Sequence, residues 1–433
     1  MENTLLKIPM LRIKDEKIGI YSACSASPLV IKAVIKKGKK DNSCVLIEST
    51  ANQCDQFGGY TGMTPSDFKK MVEQFADEYK FDKKRLFLGG DHLGPLTFAK
   101  KSEEEAMKLA EDLIETYVLA GFTKIHIDTS MRLSSDSASE RLSDAVIIRR
   151  AIRLAKKAEE AFEKLISNNP DAVHPVYVIG SEVPIPGGAL SVPAALEATK
   201  VMDFRQSVTD FENAFIEAGL DGAWKQVIAF VVQPGIEEND NGCVDYDREK
   251  AAELSSAIED YPNLVFEAHS TDYQTRKNLR YLVEDGFAIL KVGPALTFAL
   301  REGLFALSFV EDEICDNPSN FRTVLEEEMI KNPKYWESHY HGSEKEKAVK
   351  RKFSFSDRSR YYMAVPAVKE SIEKMMDNLK DRIPLSVLKQ YMPHQYEKIR
   401  NGELNLDPEE LLIDKISEVI EDYMFATNQK NIL

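Results

Sequence analysis

Eight short apolar runs, each followed by a stretch of helical periodicity, recur between residues 18 and 293 of this chain. They are Ile18–Ser25, Cys44–Thr50, Leu86–His92, Lys124–Ser130, Val176–Glu182, Val227–Gly235, Leu264–Ser270 and Phe287–Gly293. Nearly all are unbroken Val, Ile, Leu and Phe segments, the pattern of parallel strands buried on both faces. Between them, Pro65–Tyr79, Ser102–Ala120, Ser139–Ser167, Asp203–Ala218 and Tyr246–Glu259 are amphipathic, several behind a Ser, Thr or Asp cap. Eight β-then-α units predict an α/β fold of the (β/α)8 TIM barrel type. A doubly wound sheet is the competitor. It usually has fewer strands and wants a glycine-rich phosphate turn after the first, where this chain has Ser22-Ala23-Cys24-Ser25.

Past Val310 the texture changes. Residues 314–352 are polar and charged, and the remainder of the chain reads as helices around Val365–Asp381, Leu385–Tyr391 and Pro408–Met424. The expected organisation is a barrel over residues 1–313 and a mainly helical C-terminal extension over 314–433 packed on it, with no separate catalytic domain.

A formal charge of −15 over 433 residues repels polyanions at long range, so nucleic acid and anionic membrane are excluded as partners. An anionic substrate would need local attraction. Cys24, Cys44, Cys54, Cys243 and Cys315 lack metal-finger spacing and read as reduced thiols. Charged residues from Glu2 to Glu16 break any secretory core, and no apolar run approaches the ~20 residues of a membrane span. A cytoplasmic location is expected.

Three strand-end strings carry the chemistry: Gly89-Gly90-Asp91-His92, Gly180-Ser181-Glu182 and Glu267-Ala268-His269-Ser270. All strands of a barrel aim their C-terminal ends at one pocket, so these side chains converge on a candidate metal site. Asp91 and His92 are adjacent, so one can bind metal while the other handles a proton. Glu182 precedes a Pro- and Gly-rich loop, where a buried carboxylate needs a cation or solvent. His269 ends the seventh run, and Asp272 could orient it or bind substrate. His126 and Asp128 share a strand face. Either could be a fourth ligand, and Asp128, nearer the strand end, is preferred, with His126 assigned to the barrel wall. The expected metal ligands are thus His92, Glu182, His269 and Asp128, and the catalytic set is Asp91, Glu182 and Asp128. For His174, His339, His341 and His394, structural roles suffice.

Lys291-Val292-Gly293-Pro294 runs from the eighth strand into a helix, the place where barrels often hold phosphate on backbone N–H groups. Lys291 and Gly293 are therefore candidate substrate-binding residues, while Arg301 lies far enough down the helix to pair only with Glu302. Arg358, in a basic stretch with Lys352 and Arg360, suits a phosphate or a sugar face, although a solvated linker fits equally well. The loop after the second strand offers Asn52, Gln53, Gln56 and Tyr60, amides and an aromatic that suit sugar hydroxyls and ring faces.

Together, Asn52-Gln53 through Gln56-Phe57-Gly58-Gly59-Tyr60-Thr61-Gly62-Met63-Thr64-Pro65, Gly89-Gly90-Asp91-His92-Leu93-Gly94-Pro95, Gly180-Ser181-Glu182-Val183-Pro184, Val232-Gln233-Pro234-Gly235, Glu267-Ala268-His269-Ser270-Thr271-Asp272-Tyr273-Gln274 and Leu290-Lys291-Val292-Gly293-Pro294-Ala295-Leu296-Thr297 resemble the Z-type subunit family of class II D-tagatose-1,6-bisphosphate aldolase. The likeness runs from the first strand to Ser356-Asp357-Arg358. It implies a TIM barrel of galactitol or N-acetylgalactosamine catabolism, described for many members as a non-catalytic partner of the catalytic class II aldolase subunit. Some relatives are described as ketohexose-phosphate 4-epimerases. Similar chains carry the label tagatose-6-phosphate kinase, yet no Walker glycine-lysine loop is present. The catalytic aldolase subunit has an Asp-His pair and two later strand-end histidines on a divalent metal. Here Asp91-His92 and His269 match, but Glu182 replaces the middle histidine, which shifts preference from Zn toward Mn, Ni or Co. Retention of this constellation favours an enzyme acting on a ketohexose phosphate by retro-aldol and aldol chemistry, as 4-epimerase or aldolase. An accessory subunit is the alternative. A homo-oligomer is compatible with these features and is not specified by them.

Overall fold

The computed structural model describes residues 2–14, 16–137, 142–180 and 196–432. Its eight barrel strands are β1 (Ile20–Cys24), β2 (Val45–Thr50), β3 (Leu86–Leu93), β4 (Lys124–Ile127), β5 (Val176–Ile179), β6 (Val227–Val231), β9 (Val265–Ala268) and β10 (Ile289–Val292). They close in the order β1-β10-β9-β6-β5-β4-β3-β2, every pair parallel. The eight apolar runs are therefore the staves of a TIM barrel, as their patterning predicts. A two-stranded antiparallel hairpin, β7 (Glu237–Glu238) with β8 (Cys243–Val244), rises from the loop after β6. Its strands are too short and too polar to show as runs in the sequence.

Three layers fill the barrel lumen. At the bottom Leu5, Ile8 and Leu11 of the N-terminal segment plug against Ile20, Leu46, Val176 and Ile289. Above them lies a charged layer of Glu48, Lys124, Glu267 and Lys291, and the functional groups line the mouth. Outward-facing residues such as Ile125, Ile127 and Tyr177 pack under the helices.

The extension is part of the helical wall. Helix Pro408–Thr427 packs against Pro28–Lys40, Arg276–Glu284 and Pro294–Ile314, and buries Leu411, Leu412, Ile416 and Ile420. Its end is tied to the barrel bottom: Gly19 N–H donates to Thr427 O at 2.8 Å, and Gln429 Nε2 donates to Cys44 O at 2.7 Å. The polar stretch after residue 314 also forms helices, Phe321–Lys331 and Glu344–Phe353, which its composition hides. Arg301 does not turn to Glu302. Its guanidinium donates to Asp357 Oδ1 at 3.0 Å, and Thr297 Oγ1 donates to Asp357 Oδ2 at 2.6 Å, which pins the extension to the helix after β10. Among the described residues no helix is long and apolar enough to cross a membrane.

Candidate metal and sugar-phosphate site

A β-bulge builds the centre of the site. The register of β3 against β4 slips between Gly90 and Leu93, and His92 takes a left-handed backbone with φ 49°. In a regular strand Asp91 and His92 would face opposite ways; the bulge brings both to the cavity lining. The neighbouring glycines make room. A Cβ on Gly89 would meet the Glu48 side chain, Cγ at 2.7 Å and the carboxyl at 2.8 Å, and one on Gly94 would lie 1.7 Å from the Asp128 carbonyl oxygen.

Three imidazoles gather here. The ring centroids of His92, His126 and His269 are 5.1, 4.9 and 5.3 Å apart for the pairs 92–126, 92–269 and 126–269. Each ring has one nitrogen committed to a carboxylate: His92 Nδ1 to Asp128 at 2.8 Å, His126 Nδ1 to Asp91 at 2.8 Å, and His269 Nε2 to Glu267 at 3.0 Å. Such carboxylate partners orient the rings, and the backbone N–H of His92 also reaches His126 Nδ1 at 3.2 Å. His126 Nε2 is fully buried with no hydrogen-bond partner, a costly state for a polar atom unless a ligand fills it. Asp91, His126, Glu267 and His269 bring ligand atoms within 4.8 Å of one another. An imidazole and carboxylate donor set with an orphaned buried nitrogen fits a divalent cation.

His126 is the residue that sequence reasoning undervalued. Lys124 and His126 on β4 and Asp128 just past its end alternate and all face the lumen, meeting Glu48 and Glu267, His269, and His92 respectively, so the assignment of His126 to the barrel wall is corrected. Asp128 instead braces His92 and accepts from Ser130 Oγ at 2.7 Å. The signal was present in the sequence: polar residues at every second position of an apolar strand mark the interior face of a barrel.

Electrostatics holds the centre charged. Lys124 Nζ lies 2.7 Å from both Glu48 and Glu267, and Lys291 pairs with Glu48 and, at 3.0 Å, with Asp91. Burial opposes ionisation of Asp91, but the charges of His92 and Lys291 outweigh it and hold its pKa well below the usual range. For Glu267 burial is likewise outweighed, by Lys124 and Lys291. Burial pushes His269 down to about 4 and keeps it neutral. On His92 burial is overcome by Asp91 and Asp128, which raise its pKa.

The mouth opens into a cavity of about 970 Å³. Of the expected substrate-binding residues, Asn52, Gln53, Tyr60, Asp272, Lys291 and Gly293 line it. Gln56 does not: its amide donates to Leu109 O at 2.9 Å, a structural bond. The N–H groups expected to cradle phosphate after β10 already have an acceptor, because Asp272 Oδ1 takes Gly293 N–H at 3.0 Å and Ala295 N–H at 2.7 Å. Lys291 faces Glu48 and Asp91. Arg358 turns to His339 at 2.9 Å, and its neighbour Arg360 lines the cavity beside Tyr361. The extension thus walls the site. Ser181 and Glu182 lie outside the described residues.

The motifs agree with comparison to known proteins. The family described as D-tagatose-1,6-bisphosphate aldolase subunit GatZ/KbaZ-like matches residues 5–428. The chain belongs to this family. It is 41% identical to a probable tagatose 6-phosphate kinase from Sinorhizobium meliloti 1021, over 94% of this chain and 100% of that one, with a TM-score of 0.84. The glycerol-complexed fructuronate-tagaturonate epimerase UxaE from Cohnella laeviribosi shares the fold, with a TM-score of 0.51 at 12% identity over 94% of this chain and 81% of that one. Membership of the GatZ/KbaZ-like family makes this a carbohydrate-metabolism protein related to tagatose-bisphosphate aldolase. Its motif strings are the ones that shape the bulge, two of the three imidazoles, His92 and His269, and the helix cap at Gly293.

Proposed function

We propose that the chain is a metal-dependent enzyme of ketohexose phosphates that breaks and remakes the C3–C4 bond. It acts as a 4-epimerase, interconverting tagatose 6-phosphate and fructose 6-phosphate, or as a tagatose-bisphosphate aldolase. The supporting observation is the buried, unpartnered His126 Nε2 among three carboxylate-braced imidazoles, two of which, His92 and His269, line a large cavity. His92, His126 and His269 would hold the divalent ion, and Zn, Mn, Ni and Co all accept such donors. Bound there, the ion supplies Lewis acidity to the ketone and adjacent hydroxyl oxygens, which favours negative charge at C3.

Asp91 is the base. Its carboxylate is ionised, buried and on the cavity lining, so it takes the O4 proton as the C3–C4 bond breaks and an aldehyde forms at C4. The bond's electron pair stays with C3 as an enediolate. If the aldehyde turns and re-adds through its other face, Asp91 returns the proton to O4 and C4 is inverted; if it departs, C3 of the enediolate takes a proton, from Asp91 or from solvent that regenerates the carboxylate, and the second triose leaves. Lys291, at 3.0 Å, keeps Asp91 charged between turnovers.

The test is to incubate the metal-reconstituted chain alone with fructose 6-phosphate, tagatose 6-phosphate and their 1,6-bisphosphates, and to follow products by NMR beside Asp91→Asn. Inversion at C4 or triose release, lost in the variant, establishes the catalyst and separates epimerase from aldolase. A second reading, an accessory subunit of a separate class II aldolase, draws support from the family's description as an aldolase subunit. It expects no turnover by the chain alone and stimulation of an added aldolase.

A further inference from the structure

Among the described residues lining the cavity, one buried side-chain oxygen has no hydrogen-bond partner: Glu238 Oε2, on the β7–β8 hairpin. Glu238 is 4% exposed. Its strand neighbour Glu237 accepts from Ser270 Oγ at 2.9 Å, and the hairpin turn is fastened by Ser354 Oγ to Asp240 Oδ1 at 2.8 Å and by Phe355 N–H to Asp240 O at 3.1 Å. The hairpin therefore holds Glu238 in place from both the barrel and the extension.

The groups around Glu238 are occupied with one another. Asp272 is spent on the Gly293 and Ala295 amides, and Glu237 on Ser270. Arg360 donates to the Asp357 carbonyl at 3.0 Å and to Tyr361 Oη at 3.1 Å. Tyr273 Oη donates to Phe355 O at 2.6 Å, and Tyr423 Oη to Thr271 O at 2.9 Å. Cys243, across the hairpin, is a weak partner whose thiol points at Tyr273 O from 3.6 Å. A buried carboxyl oxygen without a partner, on a residue of the cavity wall, costs folding free energy, and a ligand hydroxyl reaching it would restore the missing bond.

We propose that Glu238 is a specificity-determining residue that reads one hydroxyl of the bound ketohexose phosphate from the hairpin wall. The proposal rests on the ketohexose-phosphate reading of this site and adds to it the group that tells a polyol chain from a deoxygenated one. A site with an open buried hydrogen-bonding group rejects a ligand that cannot fill it, because the group then stays both desolvated and unpaired. Burial, reinforced by Asp272 and Glu237, also holds the Glu238 pKa well above the usual carboxylate range, so the side chain can donate as well as accept. Glutamine reproduces that neutral donor and acceptor pair; alanine does not.

Isothermal titration of the full metal-loaded chain with fructose 6-phosphate and with tagatose 6-phosphate at pH 7 tests this, using Glu238→Gln, Glu238→Ala and a set of monodeoxy fructose 6-phosphates. Glu238→Ala is expected to bind about tenfold or more weakly. Glu238→Gln should stay within about threefold of wild type, as a retained neutral hydrogen bond requires. One monodeoxy analogue should bind poorly to wild type yet equally well to wild type and Glu238→Ala. Circular dichroism and melting of each variant separate loss of fold from loss of contact. Unchanged binding by a folded Glu238→Ala overturns the role of Glu238 alone, whereas no binding of either sugar phosphate to wild type overturns the substrate reading and this inference with it.

Discussion

Lys291 Nζ stands 3.0 Å from Asp91 Oδ1 and also pairs with Glu48, so one buried ammonium from β10 serves carboxylates on β2 and β3. All three side chains are nearly inaccessible. Removing one member of a buried charge cluster leaves the others uncompensated, which costs more than the cluster contributes intact. Lys291→Met should therefore lose about 3 kcal/mol in urea unfolding at pH 7. Adding Glu48→Gln should recover part of that loss. A double-mutant cycle measures the coupling, and strict additivity would show that the ion pair is not formed in solution.

Arg301 and Asp357 tie the barrel to the extension at 2% and 1% side-chain exposure. Asp357 also takes hydrogen bonds from Thr297 and Ser359 and lies three residues before Arg360 on the cavity wall. Arg301→Met strands a buried carboxylate, with an expected loss of about 3–5 kcal/mol. Because the same bond positions the wall segment, KM for the sugar phosphate should rise by more than kcat falls. Equal changes in the two constants would count against the positioning role.

The barrel was legible because eight buried strands leave unbroken apolar runs, a signal that needs no long-range information. The metal centre was legible only in part. Asp91, His92 and His269 stand at strand ends, where composition alone marks them; His126 stands inside β4, and its role depends on which face of the strand points inward. The expected phosphate cradle at Gly293 was misread for a different reason: its amides are free in the sequence but capped by Asp272, a residue 21 positions earlier whose approach only the closed barrel creates. Glu238 gave no signal at all, because a two-residue strand has no periodicity.

Metal analysis separates the roles around β4. Elemental analysis of the purified chain should find one divalent ion per chain, and chelation should abolish turnover. His126→Ala and His269→Ala remove donors and should yield metal-poor protein. Asp128→Asn keeps every imidazole but weakens the brace on His92, so affinity should fall by about 10–100-fold, as for other carboxylates behind ligating histidines. Full metal occupancy in His126→Ala would remove that residue from the ligand set.

Gly94 offers a steric test of the bulge. A Cβ there would lie 1.7 Å from the Asp128 carbonyl oxygen, far inside contact distance, so Gly94→Ala must push the ends of β3 and β4 apart. His92 and Asp128 face each other across that gap at 2.8 Å. The variant should lose about 1–3 kcal/mol of stability and most of its metal affinity, both measurable by melting with and without added metal. A variant with native metal affinity would show that the bulge does not position His92.

Asp272 carries a pH signature. Burial raises its pKa from 3.8 to about 6, against the pull of the Ala295 and Gly293 amides. A carboxyl raised on folding favours the folded state when protonated, so its contribution to stability is full below about pH 3.8 and is lost as pH rises through about 6. The two shorter amide bonds run to Oδ1, with Gly293 N–H also reaching Oδ2 at 3.4 Å, and an asparagine carbonyl can accept the two at Oδ1, so Asp272→Asn keeps the helix cap and deletes the charge. The variant should match wild type near pH 4 and become progressively more stable than it between pH 5 and 7, reaching about 3 kcal/mol at pH 8. Glu238 lies close enough to share the titration, so the comparison is made in a Glu238→Gln background. Urea midpoints across that range decide it. A difference that stays flat, or one that favours wild type as pH rises, would mean that Asp272 is ionised without cost, and that the amides after β10 stabilise its charge more than burial opposes it.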